Sequence, residues 1–350
     1  MPDSGVVRTE EAFPVRYVYW PSFSLRTSMF VMDMGLVTPG QALWVDATRK
    51  NLDAEFRANI STLNEMDTYP RILHEQLRQG TASLEVPEFL DWLANVDPAD
   101  IVELIPPREK IKALQEGRAM FGVDDPIADW NGVELDSELI ERIEELLRSP
   151  AGIKELAHQT AERFWRDHLE PEFRRIEPLL RDLVERGNSH SGMRTQRELI
   201  RELVGRDPAG DSFDTRGVKE VLAIPVCHLG AFVLTRLLKG QEPVNLVAFE
   251  AGRSKASTRS LDESPTAFTY RALADDTRLS IVRLLASGER YGAEVVKHCG
   301  LSQPTVSKHL RILVAAGILD VRREGGTKYY SVNHSRLAEI GQSIETLGDV

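Results

Sequence analysis

At 350 residues, 42% hydrophobic and 28% charged, the chain has the composition of an ordinary soluble protein of two or three domains. No run of about 18 apolar residues is present and the start, MPDSGVVRTEE, lacks a basic-then-apolar layout, so neither a membrane span nor a secretory signal is predicted. Two cysteines, Cys227 and Cys299, exclude a disulfide framework and fit the reducing cytoplasm. The net charge of −11 is unevenly spread. Residues 266–350 hold 11 basic and 9 acidic groups, whereas the first 265 hold 32 and 45. A near-neutral to basic segment follows an acidic one, and only the former suits a nucleic-acid partner.

In chain order, Val15 to Tyr19 alternates and predicts a short strand, and Pro21-Ser22 opens an apolar stretch to Gly35. One helix is predicted from about Gln41 to Met66. After an interruption at Pro70, a second runs from Arg71 to Arg78 and ends at Gly80. Pro87 starts another, with Phe89, Leu90 and Leu93 on one side, and Pro106-Pro107 marks a break. Helical patterns cover Asp136–Arg148 and Ala151–Arg186. Pro171 and Pro178 should kink or divide the second. Met193–Val204 reads as an amphipathic helix and Arg206–Asp214 as a loop. Residues 218–249 turn apolar and β-branched: two short strands or a strand and a helix, then a strand near Val244–Phe249. Glu250–Pro265 is rich in Ser, Arg and Gly and is the best linker in the chain.

Three regions follow: a mainly helical unit over 1–249, a linker over 250–265 and a DNA-binding unit over 266–350. The predicted class is mainly α with small β elements (α+β).

The last region carries the clearest signals. Asp275 or Asp276 caps a helix whose Leu279, Val282, Leu284 and Leu285 form a buried stripe, and Gly288 ends it. A second helix runs from Gly292 to Cys299, with Ala293, Val296 and Cys299 inward and Gly300 as its cap. Leu301 enters a turn, and Ser302 caps a third helix with Pro304 in its first turn. Helix, short glycine turn, helix is the layout that sends the second helix into the major groove. Val306, Leu310, Leu313 and Val314 share one side and face the core. Thr305, Lys308 and, at the edge, Arg311 take the opposite side, with Gln303 at the N-terminal end and His309 on a flank. Ser302 and Ser307 complete the candidate DNA-contacting set. Gln suits adenine, Thr a thymine methyl, and Lys and Arg phosphates. Ile318–Arg323 and Thr327–Val332 form a hairpin around Glu324-Gly325-Gly326. Arg322, Arg323 and Lys328 gather near its tip as a cationic wing. A final helix, Ser335–Leu347, aligns Leu337, Ile340, Ile344 and Leu347 on a face suited to a second copy of the chain.

The runs LADDTRLSIVRLL, LSQPTVSKHLRILVAAGIL and RREGGTKYYSV resemble the arsenical-repressor-type (ArsR/SmtB) winged helix-turn-helix family, over about 75 residues from Phe268 to Ile344. The resemblance implies a homodimer on a palindromic operator in double-stranded DNA, usually a repressor. It also implies a reading helix over Gln303–Ala316, with the domain's first and last helices making the dimer. Metal-sensing members carry Cys-x-Cys where this chain has Tyr291 and Ala293. A second Asp-x-His site falls on Val332-Asn333-His334. No metal site and no cofactor is carried over.

Other candidates keep two readings. Cys299 reads as core or as a redox thiol, and Cys227-His228 as an apolar segment or a metal pair with too few ligands. His158, Glu162, Trp165 and His168 read as structural or ligand-binding. Trp20, Trp44, Trp92, Trp130 and Trp165 read as core or as the lining of an effector pocket. No phosphate loop, Ser-His-Asp set or metal cluster stands out in the sequence, so no catalytic residue is assigned and the chain is read as a regulator rather than an enzyme. The alternatives are an enzyme or a protein-interaction module fused to the DNA-binding unit. In the preferred reading the N-terminal unit senses a small-molecule effector or adds dimer contacts.

Overall fold

The structure is a computed structural model of the chain. It describes all residues except 1–10, 35–41, 67, 103–140, 144, 147, 191, 205–216, 231–232, 239–242, 252–264, 302, 325–326 and 348–350. Of the linker expected over 250–265, Glu250 closes a strand and Pro265 opens a helix, while 252–264, the turn Gly325-Gly326, Trp130 and most of the Asp136–Arg148 helix lie outside the described residues.

A five-stranded sheet organises the N-terminal part, in the order β2-β1-β3-β5-β4. Its strands are β1 (Ala12–Tyr17), β2 (Met193–Thr195), β3 (Glu220–Val226), β4 (Val233–Leu238) and β5 (Val244–Glu250). β1, β3 and β5 run parallel, while β2 and β4 are antiparallel edges. β3 and β5 are buried along nearly their whole length, which explains why they read as continuous apolar runs rather than alternating ones. β1 alternates buried and exposed residues, as its sequence predicts. The region 218–249 resolves into strands, with no helix among its described residues. Pro225 fits a central strand because the β1 ladder ends at Tyr17↔Ala223, leaving no β1 partner to miss its N–H.

Helices pack around this sheet: α1 (Pro21–Met34), α2 (Ala42–Asn51), α3 (Ala54–Glu65), α4 (Thr68–Arg78), α5 (Val86–Asn95), α6 (Pro98–Val102), α7 (Pro150–Phe164), α8 (Glu170–Ser189) and α9 (Gln196–Val204). The single helix expected over 41–66 is two. Asp53, extended at φ −69° and ψ 167°, accepts from the Phe56 N–H at 2.7 Å and starts α3 afresh. Pro70 does not interrupt; it sits in the first turn of α4, where a missing N–H is harmless. Between α7 and α8 the helix does not break either. Trp165–Leu169 forms a π turn, closed by Glu170 N–H to Trp165 O, just ahead of Pro171, whose ring has no N–H to offer the turn below. The start of the predicted 193–204 helix is instead the edge strand β2.

α8 crosses β1 closely. The Asn188 side-chain amide pairs with both backbone groups of Tyr17 at 2.9 Å, standing in for a strand neighbour. Gly187 lies under the Tyr17 ring, and a Cβ there would come within 2.5 Å of three ring carbons. Only a residue without a side chain allows this approach.

The C-terminal part has its own core. α10 (Pro265–Leu273), α11 (Asp276–Ala286), α12 (Gly292–Cys299), α13 (Gln303–Ala315) and α14 (His334–Leu347) surround a three-stranded sheet in the order β6-β8-β7. These strands are β6 (Arg290–Tyr291), β7 (Leu319–Glu324) and β8 (Thr327–Val332). Ile281, Leu285, Val295, Val306, Leu310, Leu313, Ile318, Leu319 and Tyr330 form a buried cluster distinct from those around the N-terminal sheet.

Candidate nucleic-acid interface

The helix-turn-helix is built from local signals. Asp275 caps α11 by accepting from the Arg278 N–H at 2.9 Å. Arg278 then donates to the carbonyls of Ala272 and Arg271, tying α11 to the end of α10. α12 ends at Gly300, left-handed at φ 64°, whose N–H returns to Val296 O. A side chain is disfavoured at that φ, so the sharp turn into α13 depends on glycine. Within α13, Val306, Leu310 and Leu313 are at most 1% exposed, as predicted.

Thr305, Lys308 and Arg311 lie at about 100° steps away from that stripe and are half-buried. Lys308 Nζ donates to the Asp33 carbonyl at 3.0 Å. His309 Nδ1 stands 3.6 Å from Asp275 Oδ1, next to the cap of α11. Burial holds its imidazole below the usual histidine range, against the pull of Asp275. Gln303 and Ser307, expected to face DNA, are only 6% and 5% exposed. They sit four residues apart, and Ser307 is followed at the same inward side by Leu310 and Val314. Ser302 lies outside the described residues.

On the hairpin, Arg322 is exposed. It makes a bidentate pair with Glu289 (3.1 and 2.7 Å) and stacks over the Tyr329 ring at 4.7 Å. That hydrogen bonding holds the Glu289 carboxyl below its usual range. Lys328 corrects the expectation of a fully exposed wing. It is 5% exposed, because on a strand it shares its face with Tyr330 and Val332, both in the core. Arg323 lies in β7 opposite Lys328, with its side chain outside the described set. β6, which pairs with β8, was not visible in the sequence because it is two residues long.

In α14, Ile340 is 5% exposed and Leu337 half-buried, both against the domain's own core, while Ile344 is 54% exposed. The apolar face is thus spent internally at its first half and open at Ile344. The Leu347 side chain is outside the described set.

The bacterial regulatory protein model of the arsR family matches residues 275–321. The arsenical resistance operon repressor of Staphylococcus aureus is 34% identical over 77 residues, which are 22% of this chain and 74% of that protein. The chain belongs to the arsR family. The family match runs from the start of α11 into β7, and the chain is also similar to a probable mercury resistance operon repressor of Streptomyces lividans. That relative is 48% identical over 75 residues, 21% of this chain and 60% of its own length, so the chain spans less than two thirds of it. A solution structure of the homodimeric winged helix-turn-helix DNA-binding domain of a possible ArsR-family regulator from Mycobacterium bovis is 29% identical, covering 25% of this chain and 90% of that one, with a TM-score of 0.21. Among the described residues of this ArsR-family chain, no three His, Cys, Asp or Glu side chains group to hold a metal ion. No described helix is long and apolar enough to cross a membrane.

The N-terminal part brings together residues that the sequence keeps far apart. His228 is 1% exposed and stacks face to face on Trp44, with centroids 4.0 Å apart and planes 9° apart. Its Nδ1 meets Ser28 Oγ of α1 at 2.8 Å, and its Nε2 stands 3.7 Å from Glu172 Oε1, beyond direct hydrogen bonding. Burial pushes the imidazole below its usual range, only partly opposed by Glu172. Burial raises the Glu172 carboxyl, but the hydrogen-bonded Arg175 guanidinium and the nearby His228 ring outweigh it and hold the group at about 2. Cys227 is buried and its thiol pushed up by desolvation, the state of an inert core cysteine. Trp20 and Trp165 are core residues, and Trp44 and Trp92 are half-buried against the core. His168 lies between the rings of Phe56 and Phe164.

Proposed function

We propose that this chain is a repressor that binds a palindromic operator in double-stranded DNA as a homodimer. In this reading residues 266–350 bind DNA, 250–265 link, and 1–249 modulate binding, through a small-molecule effector or added dimer contacts. The observation that carries the proposal is the position of Thr305, Lys308 and Arg311 on α13, away from the buried Val306-Leu310-Leu313 stripe, in an arsR-family helix-turn-helix. Arg322 on the neighbouring hairpin supplies a cation for the DNA backbone. The relatives from Staphylococcus aureus and Streptomyces lividans are named repressors, and the Mycobacterium bovis domain is homodimeric. Ile344, exposed on α14, gives a second copy an apolar foothold.

The test is fluorescence anisotropy of the full chain on duplexes from its own promoter. Lys308→Ala with Arg311→Ala should weaken binding tenfold or more, since contacts to bases and phosphates are each worth roughly 1–3 kcal/mol. The slope of log K against log salt should fall by about 2 if both residues meet phosphates. Unchanged affinity and slope would remove α13 as the DNA-facing element.

A further inference from the structure

An α-helix leaves its last carbonyls without intrahelical partners, and its C-terminus carries the negative end of the helix dipole. At the end of α1 these carbonyls are taken up by cations. Arg49 of α2 donates to Val31 O at 2.7 Å and to Met32 O at 3.1 Å. The next carbonyl, Asp33 O, accepts from Lys308 Nζ at 3.0 Å, and Asp33 Oδ1 lies 3.9 Å from the same nitrogen. Lys308 belongs to the recognition helix, 275 residues further along the chain.

We infer that the C-terminal end of α1 is an autoinhibitory clasp, which occupies the DNA-facing lysine of α13 so that DNA must displace it. The inference rests on the reading of α13 as the DNA-binding helix. The chemistry of the two partners is the same: the carbonyl end of α1 with its carboxylate presents oxygen acceptors and negative charge, as a phosphate does. Lys308 cannot serve both at one place. The charge balance points the same way, because the first 265 residues hold 45 acidic against 32 basic groups, and α1 belongs to that acidic part. Net negative charge on the rest of the chain repels a polyanion.

The clasp is held by a built element rather than a loose end. Leu25 and Met29 of α1 are fully buried in the N-terminal core, and Ser28 is pinned by His228. The apparent affinity for DNA then falls by the fraction of chains in which α13 is released, and a ligand that favours the released arrangement acts as a switch.

Two measurements on the full chain test this. Zero-length carbodiimide coupling joins a carboxylate to an amine in contact, so mass spectrometry of the wild-type chain should find an Asp33–Lys308 crosslink. A promoter duplex in excess should suppress that crosslink. Asp33→Lys should bind the same duplex roughly three- to tenfold tighter, the size expected for losing and reversing a partly exposed charge pair. A lysine suits a helix C-terminus, so the variant should fold. A missing crosslink, or Asp33→Lys binding no tighter than wild type, overturns the clasp. The DNA reading survives that result if Lys308→Ala with Arg311→Ala still weakens binding. If neither wild type nor Asp33→Lys binds the duplex, the DNA reading fails and the inhibitory role fails with it, even where the crosslink maps as expected.

Discussion

Leu313→Ala should destabilise the winged helix by about 3–4 kcal/mol and leave the N-terminal fold intact. Leu313 is fully buried at the centre of the C-terminal cluster, among side chains from α11, α13, β7 and β8. Removing three carbons from such a site loses transfer energy and leaves a cavity that the neighbours fill only in part. The C-terminal cluster shares no residue with the two clusters around the N-terminal sheet. A loss of this size in a unit of under 100 residues lowers its midpoint by roughly 4–8 °C per kcal/mol. Calorimetry of the variant should therefore show an early transition for residues 266–350 and an unshifted one for the rest. DNA binding should disappear with the first. A single transition that shifts as a whole would contradict two separately built cores.

The second large effect concerns pH. His228→Asn should cost about 2 kcal/mol at pH 7.5 and make stability less dependent on pH below 6.5. The cost arises because a stacked, buried ring is replaced by a smaller group, though the asparagine amide can still hydrogen-bond Ser28. The pH effect follows from burial, which lowers the imidazole pKa in the folded chain below the ordinary value of 6.5. The unfolded chain takes up this proton near pH 6.5, and the folded chain resists until lower pH. Stability from the neutral ring is therefore complete above about pH 6.5. It falls as the pH drops towards the folded pKa, by up to about 1.4 kcal/mol per pH unit. His168 and His309, also lowered mainly by burial, leave a residual slope in the variant. Denaturant titrations between pH 7.5 and 5 should show wild type losing stability more steeply than the variant. Parallel curves would mean that His228 does not remain neutral in the fold.

The sequence was most informative where structure depends on near neighbours. The cap at Asp275, the left-handed Gly300, the buried stripe of α13 and the β7-β8 hairpin each arise within a few residues, and each is recognisable by residue type and spacing. The N-terminal sheet was not legible in the same way. β1 pairs with β3 across some 200 residues, and no local pattern names a partner at that distance. The cluster of Ser28, Trp44, Glu172 and His228 draws on four remote segments, so it emerges only once α1, α2, α8 and the end of β3 are assembled. Two misplacements had signals available. Asp53 followed by a helical run was a cap, and it would have divided the 41–66 helix. The two-residue period of β8 sets Lys328 on the side of Tyr330 and Val332, away from the exposed face. The Lys308–Asp33 contact had no signal in the sequence at all.

Hydroxyl-radical footprinting of the full chain on DNA upstream of its own reading frame tests the central claim most directly. A homodimer reading DNA through α13 should protect two backbone patches one helical turn apart, about 34–36 Å, arranged about a dyad. The protection should vanish in the Lys308→Ala, Arg311→Ala variant. A single patch, diffuse protection at all concentrations, or an unaltered footprint in the variant would contradict the account.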